Sequence, residues 1–502
     1  MFPRPALLVI AVVFAILNAD ITTVNVALVT VGKDLHSDLE DLQWGLNSYM
    51  LAFAALIVAA GRLADVFGRR RCLLVGSVVF AIASLICGIA PTLSVLVIGR
   101  VLQGAGGALM LPAGMAIVSS VYSGKERAAA LGTLVGVGGV AQSIGPLVGG
   151  FLTAEISWRF VFLINLPLIA VIMIVALRGI EESHDETVSR RLDVAGVILL
   201  ATALTSLLIG LDLTQGSDRK PQLAVGLVVL SIILFGVFTI VERATSNAIV
   251  DGKLLRLRPF LCSCVASCLL GFVFFLFLFI AALYLQEELG YSAFSAGIAL
   301  VPFSLVLAVT GVMAGRLTSR FQLKDLLITS CASMVLGLAI LSFLPASYGY
   351  LGMIFPFLLV AGGAGPGFTL LNTAGLAAVP SERSGQAAGI IYMFRFGGGA
   401  IGIAVASALH GAFFQSQLMA RLSETPVPGA LQKLLEQPGA VDRLRQLESG
   451  LMASQIEQVR LAFHQSFAAA FADTLRLNVM LPIVIAVLVI ALMNDKVKML
   501  KR

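Results

Sequence analysis

Apolar runs of about 20 residues, parted by short polar links, recur along the whole chain, the length a helix needs to cross a bilayer. They predict spans near 6–29, 44–61, 72–90, 93–121, 128–152, 160–178, 192–211, 222–242, 260–285, 293–315, 325–344, 350–376, 386–410 and 474–494, about fourteen helices in all. The first run is too long for a signal-peptide core and lacks a convincing small-residue cleavage site, so it reads as a retained anchor. One stretch breaks the pattern. Residues 411–473 are hydrophilic and carry Pro426, Pro428, Gly429, Pro438 and Gly439. Two stripes at helical spacing follow: Val441, Leu444, Leu447 and Leu451, then Ile456, Val459, Phe463, Phe467 and Phe471. They predict a hairpin folded on itself or on the membrane surface, the alternative being a gate, a lid or a docking surface.

Composition narrows the class. The 502 residues are 58% hydrophobic and 12% charged, with a mean hydropathy of +0.97. Soluble proteins carry about 25% charged residues, and no water-soluble fold can hide this much apolar surface. The chain is an all-α, polytopic membrane protein. Charge then sets orientation. With the N terminus inside, the inner loops hold Arg4, Arg62, Arg69, Arg70, Arg71, Lys125, Arg127, Arg178, Arg190, Arg191, Arg243, Lys253, Arg256, Arg258, Arg316, Arg320, Lys324, Arg383 and the basic C-terminal tail. The short outer loops hold Lys33, Arg159, Arg219 and Lys220. Both termini are therefore expected in the cytoplasm, and the net charge of +6 needs no nucleic-acid partner. The six cysteines fall in or beside spans and read as small packing residues. Without histidine or carboxylate company they form no metal site.

The two ends of the chain echo each other. Gly61-Arg62-Leu63-Ala64-Asp65 to Gly68-Arg69-Arg70-Arg71 follows the second span, and Gly315-Arg316-Leu317 follows the tenth. This is a degenerate six-helix repeat. It divides the chain into an N-terminal bundle over 1–180, an inserted pair of spans over 181–258, and a C-terminal bundle over 259–502 that includes the outer loop 411–473. Such repeats mark secondary transporters, with the site near mid-membrane where the halves meet.

The candidate chemistry begins with Asp20, a carboxylate inside the first span, beside Asn18, Thr22 and Asn25. A charge at that depth costs several kcal/mol, to order of magnitude, unless paired, watered or protonated. It points to a polar cavity and a proton or cation to carry. In the fourth span, Arg100 precedes Gln103, Gly104, Gly106 and Gly107. A neighbouring cation favours an ionised acid and burial favours the neutral form, so Arg100 can tune a nearby proton site; pairing with carbonyls is the structural alternative. Asp65, among glycines, can accept hydrogen bonds from a helix N terminus or an arginine. In the fifth span, Gly136 is parted by eight residues from Gly145-Pro146-Leu-Val-Gly149-Gly150, small residues that let helices approach and a proline that kinks one.

These motifs, with Trp158-Arg159 to Asn165-Leu-Pro167 and Arg395-Phe-Gly397-Gly398-Gly399-Ala-Ile-Gly402, resemble the major facilitator superfamily in its fourteen-helix drug/proton antiporter branch, over nearly the whole chain. The chain departs from that branch at Val29, where proline is usual, and at Phe396, where glutamine is usual. The resemblance implies two six-helix bundles plus an inserted helix pair, rocking about a central site. It implies a proton-coupling pair, Asp20 and Arg100, and a substrate cavity near Asn18, Thr22, Asn25, Gln103 and Arg395. It also implies a conformational latch at Gly61, Asp65, Gly68 and Arg69, and an antiporter motif at Gly136, Gly145, Pro146, Gly149 and Gly150, which uptake carriers generally lack.

The expected activity is proton-coupled export of small amphipathic compounds across the cytoplasmic membrane, with substrate and protons as the partners, no cofactor, and a monomer as the working unit. An adaptor protein spanning the periplasm is compatible with a host that has an outer membrane. The C-terminal half lacks a midspan acid and offers Arg395 instead, which argues against strict specificity for dications. An exporter of a lipid or a siderophore would use the same proton chemistry. A membrane-embedded enzyme would want histidines or acids clustered at depth, but His36, His184, His410 and His464 lie in loops or at span ends. No phosphate loop, nucleophile elbow or selectivity filter is evident.

Overall fold

A computed structural model describes residues 5–35, 39–184, 193–213, 221–245, 252–344, 349–380, 383–423 and 453–493. Every predicted span is helical there. The elements are α1 Pro5–Leu35, α2 Leu39–Phe67, α3 Arg69–Gly88, α4 Leu93–Val121, α5 Gly124–Glu155, α6 Phe160–Leu163, α7 Asn165–Gly179, α8 Val194–Asp212 and α9 Pro221–Ala244. They continue with α10 Gly252–Leu255, α11 Arg258–Glu287, α12 Ala293–Ala299, α13 Val301–Leu317, α14 Leu323–Phe343, α15 Gly349–Ala377, α16 Ser384–Ser423 and α17 Ala453–Leu492. The sixth and tenth spans are each two helices in series. Among the described residues, twelve spans are long and apolar enough to cross a membrane; Ala195–Leu211 is apolar but shorter. Helix is the only economical state for these runs, because lipid offers no partner to an unpaired N–H or C=O. Local signals set the ends. Thr92, Asp193 and Ser292 cap α4, α8 and α12 by accepting from Val95, Gly196 and Ser295 N–H. Pro259 and Pro302 stand in the first turn of α11 and α13, where a missing N–H is harmless.

The structure revises the stretch 411–473. The thirteenth helix does not stop near residue 410 but runs to Ser423, and the last begins at Ala453. The described parts are helical extensions packed on each other, with Phe414 against Phe463 and Phe467 at 5.1 and 6.0 Å between ring centroids. Of the second stripe, Phe467 and Phe471 are buried, and Phe471 lies 4.4 Å from the ring of Tyr284 in α11. Hydropathy marks only the more apolar part of these helices, whereas aromatic packing continues along the extensions. The first stripe, Val441 to Leu451, lies outside the described residues.

Two large apolar cores result. One is built on α1–α5 and α7 and takes in residues of α8–α10 and the near ends of α11, α15 and α16. The other is built on α11 and α13–α17. Glycines set how closely the helices approach. A side chain on Gly398 of α16 would run into the Cys268 carbonyl of α11, and one on Gly271 of α11 into the Arg395 carbonyl of α16. Gly398→Ala is thus expected to force these helices apart at about 1–3 kcal/mol. Gly226→Ala in α9, where the new methyl meets open space, should be neutral or stabilising by up to about 1 kcal/mol. Thermal unfolding of the purified proteins checks the contrast; equal midpoints would refute it.

Candidate functional site

Asp20 is 3% exposed and Arg100 is 1% exposed, and their Oδ2 and Nη1 atoms meet at 2.5 Å. Groups from several helices surround them. Arg100 Nε donates to the Gly45 carbonyl of α2 at 2.9 Å, and Nη1 also donates to Gln103 Oε1 at 2.8 Å. Gln103 Nε2 donates in turn to Ser84 Oγ of α3 at 2.7 Å, and Asn165 Nδ2 of α7 donates to Asp20 Oδ1 at 3.3 Å. The guanidinium lies over the Tyr49 ring at 4.4 Å and near that of Phe162 at 5.9 Å. Acid, base and amides from α1, α2, α3, α4 and α7 thus form one buried polar knot. Charges in such surroundings persist only when paired and hydrogen-bonded.

Beside the knot, between the two cores, lies a cavity of about 900 Å³ of free space including its open mouth. Residues of α1, α2, α4 and α5 line one wall, and residues of α11, α13, α15 and α16 the other. Aromatic rings dominate: Phe14, Tyr49, Phe53, Phe274, Phe275, Phe368, Tyr392 and Phe396. Asn18, Gln142 and Arg395 are the polar residues among the lining, besides the two tyrosines. Tyr49 alone belongs to both places, facing the cavity while stacked on Arg100. From it the rings continue across the cavity. Tyr49 to Phe53 is 6.0 Å, Phe53 to Phe396 is 5.2 Å edge-on, and Phe396 to Tyr392 is 6.2 Å.

The expected cavity residues therefore separate. Asn18 and Arg395 line the cavity. Gln103 does not, because its amide is spent on Arg100 and Ser84. Thr22 does not either: its hydroxyl donates to the Ala19 and Gln142 carbonyls and packs on Gly145. Asn25 is on α1, but its side chain lies outside the described residues. Tyr49, Asn165 and Asn372 are site residues that the sequence reading passed over. The signal was available for the asparagines, since each is an amide inside an apolar run.

At the end where α2 turns into α3, the bundles are tied. Asp65 is 1% exposed. It accepts from the Gly385 and Gln386 N–H groups at 3.2 and 2.7 Å and from Arg69 Nε and Nη2 at 3.3 and 3.2 Å. Those N–H groups belong to the first turn of α16, where no intrahelical acceptor exists. Gly61 lets α16 come so close that a Cβ there would sit 2.5 Å from the Gly385 oxygen. Gly68 turns the chain at φ 112°, a left-handed conformation suited to glycine. Glu182, not foreseen, caps α3 through the Arg70 and Arg71 N–H groups at 3.0 and 3.1 Å.

The glycine-rich α5 lies between the bundles. Gly145 and Gly149 press on Thr22 and Thr23 of α1, while Gly132 and Gly136 press on Gly311, Ala308 and Val312 of α13. Gly150 is half-buried, and the Pro146 side chain lies outside the described residues.

Comparison with known proteins bears on the family and the fold. The family model described as Major Facilitator Superfamily matches residues 8–403. The chain belongs to the Major Facilitator Superfamily. It is a multi-pass membrane protein and a secondary transporter that handles small molecules within the membrane, not an enzyme. It is 31% identical over 421 residues to the multidrug resistance protein Stp of Mycobacterium tuberculosis, covering 82% of this chain and 77% of that one. It is 32% identical over 412 residues to the lincomycin resistance protein of Streptomyces lincolnensis, covering 80% and 82%. A solved bacterial homologue of the human lysosomal transporter Spinster, inward-facing and unoccupied, shares the fold with a TM-score of 0.55 at 17% identity over 98% of both chains.

The knot makes a stability prediction. Arg100→Leu strands the Asp20 carboxyl, and breaking a buried pair from one side costs about 3–5 kcal/mol. The double variant Asp20→Asn/Arg100→Leu removes both charges and should recover part of that loss. Denaturant unfolding in mixed micelles measures it; a double variant no better than Arg100→Leu would contradict the account.

Proposed function

We propose that this transporter exports small amphipathic compounds across the cytoplasmic membrane in exchange for protons, by alternating access between two six-helix bundles over 1–180 and 259–502, with the pair of helices over 181–258 inserted between them. One observation carries the reading: a buried carboxylate–guanidinium pair stands one tyrosine away from an aromatic cavity between the bundles. The names of the relatives, multidrug and lincomycin resistance proteins, support the substrate class and the outward direction. The basic loops support a cytoplasmic location of both termini. The working unit is a monomer.

The proton step rests on Asp20. A proton on this carboxyl cancels its half of the pair and leaves Arg100 with the Gly45 and Gln103 oxygens and two aromatic faces. The knot that joins α1, α2, α4 and α7 then loosens, and those helices can shift against one another. Substrate and proton do not share a seat in this reading, because Asp20 is off the cavity wall. They communicate through Tyr49, which a bound substrate presses from one side and Arg100 holds from the other. The tie at Asp65 closes the Gly68 end, which supports a conformation shut to the cytoplasm, with Gly61, Gly68 and Arg69 completing the latch. The small-residue faces of α5, which carries the antiporter motif, serve as the bearing on which the bundles rock.

In proteoliposomes with an imposed pH gradient, Asp20→Asn is expected to lower gradient-driven export by at least about tenfold, roughly 1.4 kcal/mol in the barrier, while substrate binding to the cavity survives. Undiminished gradient-driven export by Asp20→Asn would remove Asp20 from the mechanism.

A further inference from the structure

Two of the buried arginines, Arg100 and Arg395, are not alike. Arg100 is neutralised by Asp20. Arg395, 6% exposed on α16, has no carboxylate within ion-pair reach among the described residues. Its Nη2 donates to Asn372 Oδ1 of α15 at 3.0 Å. Its guanidinium lies 4.5 Å from the Phe368 ring and 4.6 Å from the Tyr392 ring. Asn372 is held in place by a longer bond from its Nδ2 to the Tyr392 hydroxyl at 3.4 Å. The Nε–H of Arg395 is buried with no acceptor among the described residues.

Ring faces, one neutral amide and the Tyr392 hydroxyl offset only part of the cost of burying a guanidinium. Cation–π contacts contribute about 0.5–2 kcal/mol each, against a penalty of several kcal/mol per buried ion. The remaining imbalance sits on the cavity wall, because Arg395 lines the cavity. No Asp or Glu is among the described residues that line it. A cation entering here would meet a like charge and no counter-charge. An anion would meet an under-satisfied donor set in surroundings from which water is largely excluded, where a charge-assisted bond is strong. The planar guanidinium suits a flat acceptor such as a carboxylate or an enolate, and the surrounding rings suit a flat apolar body.

We infer that Arg395, oriented by Asn372 and clamped by Tyr392 and Phe368, is an anion subsite, and that the cavity selects amphiphiles with one acidic head and an aromatic body over their cationic counterparts. This rests on the reading of the cavity as the export site and names its substrate class. An acidic lipid headgroup presents the same chemistry as a soluble aromatic acid, so the test separates the two.

The experiment uses the full chain in lipid nanodiscs and xanthene dyes that share one ring system, a fluorescein-type anion and a rhodamine-ester cation, with binding followed by fluorescence polarisation. The parent is expected to bind the anion at least about tenfold more tightly than the cation. Arg395→Gln should erase that preference by weakening the anion alone, and Arg395→Lys should keep part of it. Equal affinities in the parent would overturn the inference. So would an Arg395→Gln that weakens both dyes alike with Arg395→Lys doing the same, because that pattern belongs to a purely structural arginine. Competition with lysophosphatidylglycerol assigns the source: displacement of the anionic dye that depends on Arg395 marks the headgroup as an occupant, and its absence marks soluble acids. A charge preference that persists while gradient-driven transport of every dye fails would sink the export reading and leave the subsite standing.

Discussion

A carboxylate and a guanidinium held 2.5 Å apart at membrane depth are the constraint on which the rest of this molecule turns. Neither could stay charged there alone: the Asn165 amide of α7 holds Asp20, and the Gly45 carbonyl of α2 with Gln103 of its own helix holds Arg100. The pair therefore does two things at once. It satisfies two expensive groups, and it fastens α1 to α2, α4 and α7. A chemical event on one atom, the gain of a proton by Asp20, becomes a mechanical event for several helices. No hydrophobic contact has this property, since burial of apolar surface is neither directional nor switchable by a single proton.

The cavity is arranged around that constraint rather than on top of it. Tyr49 lies between the two, and the rings of Phe53, Phe396 and Tyr392 lead on from it to Arg395. One guanidinium is balanced within the protein and the other is left for an occupant to balance. Phe53 and Phe396 come from opposite bundles, and their edge-to-face contact at 5.2 Å spans the gap that a substrate would have to enter. At the Gly68 end the bundles meet through a carboxylate on a helix N terminus, Asp65 on Gly385 and Gln386. That contact is electrostatic, local and breakable, which suits a joint that must open in each cycle.

The spans were legible because lipid imposes one rule on every residue within it, and mean hydropathy reads that rule directly. Asp20 and Arg100 were legible for the same reason, as costly exceptions. Their partners were harder to see. Gly45 contributes only a carbonyl, and Asn165 and Tyr49 come from helices distant in sequence, so no local pattern links them to Asp20. Gln103 and Thr22 are polar and lie near the right depth, but depth does not say which way a side chain turns, and both turn away from the cavity. The helical spacing of Ile456 to Phe471 showed that this stretch folds, but the continuity of α16 to Ser423 and of α17 from Ala453 did not show in hydropathy, because those turns hold together through Phe414, Phe463 and Phe467. The role of Glu182 as the cap of α3 depends on a chain return that only the fold reveals.

The central claim is that occupancy of the aromatic cavity and the proton on Asp20 are linked through Tyr49. The most direct measurement is proton release on substrate addition to the purified protein in a weakly buffered solution, followed with a pH indicator. The account requires release by the parent protein, none by Asp20→Asn, and a reduced yield from Tyr49→Ala that still binds substrate. Equal release from the parent and Asp20→Asn, or no release from the parent at saturating substrate across the range where transport operates, would contradict it.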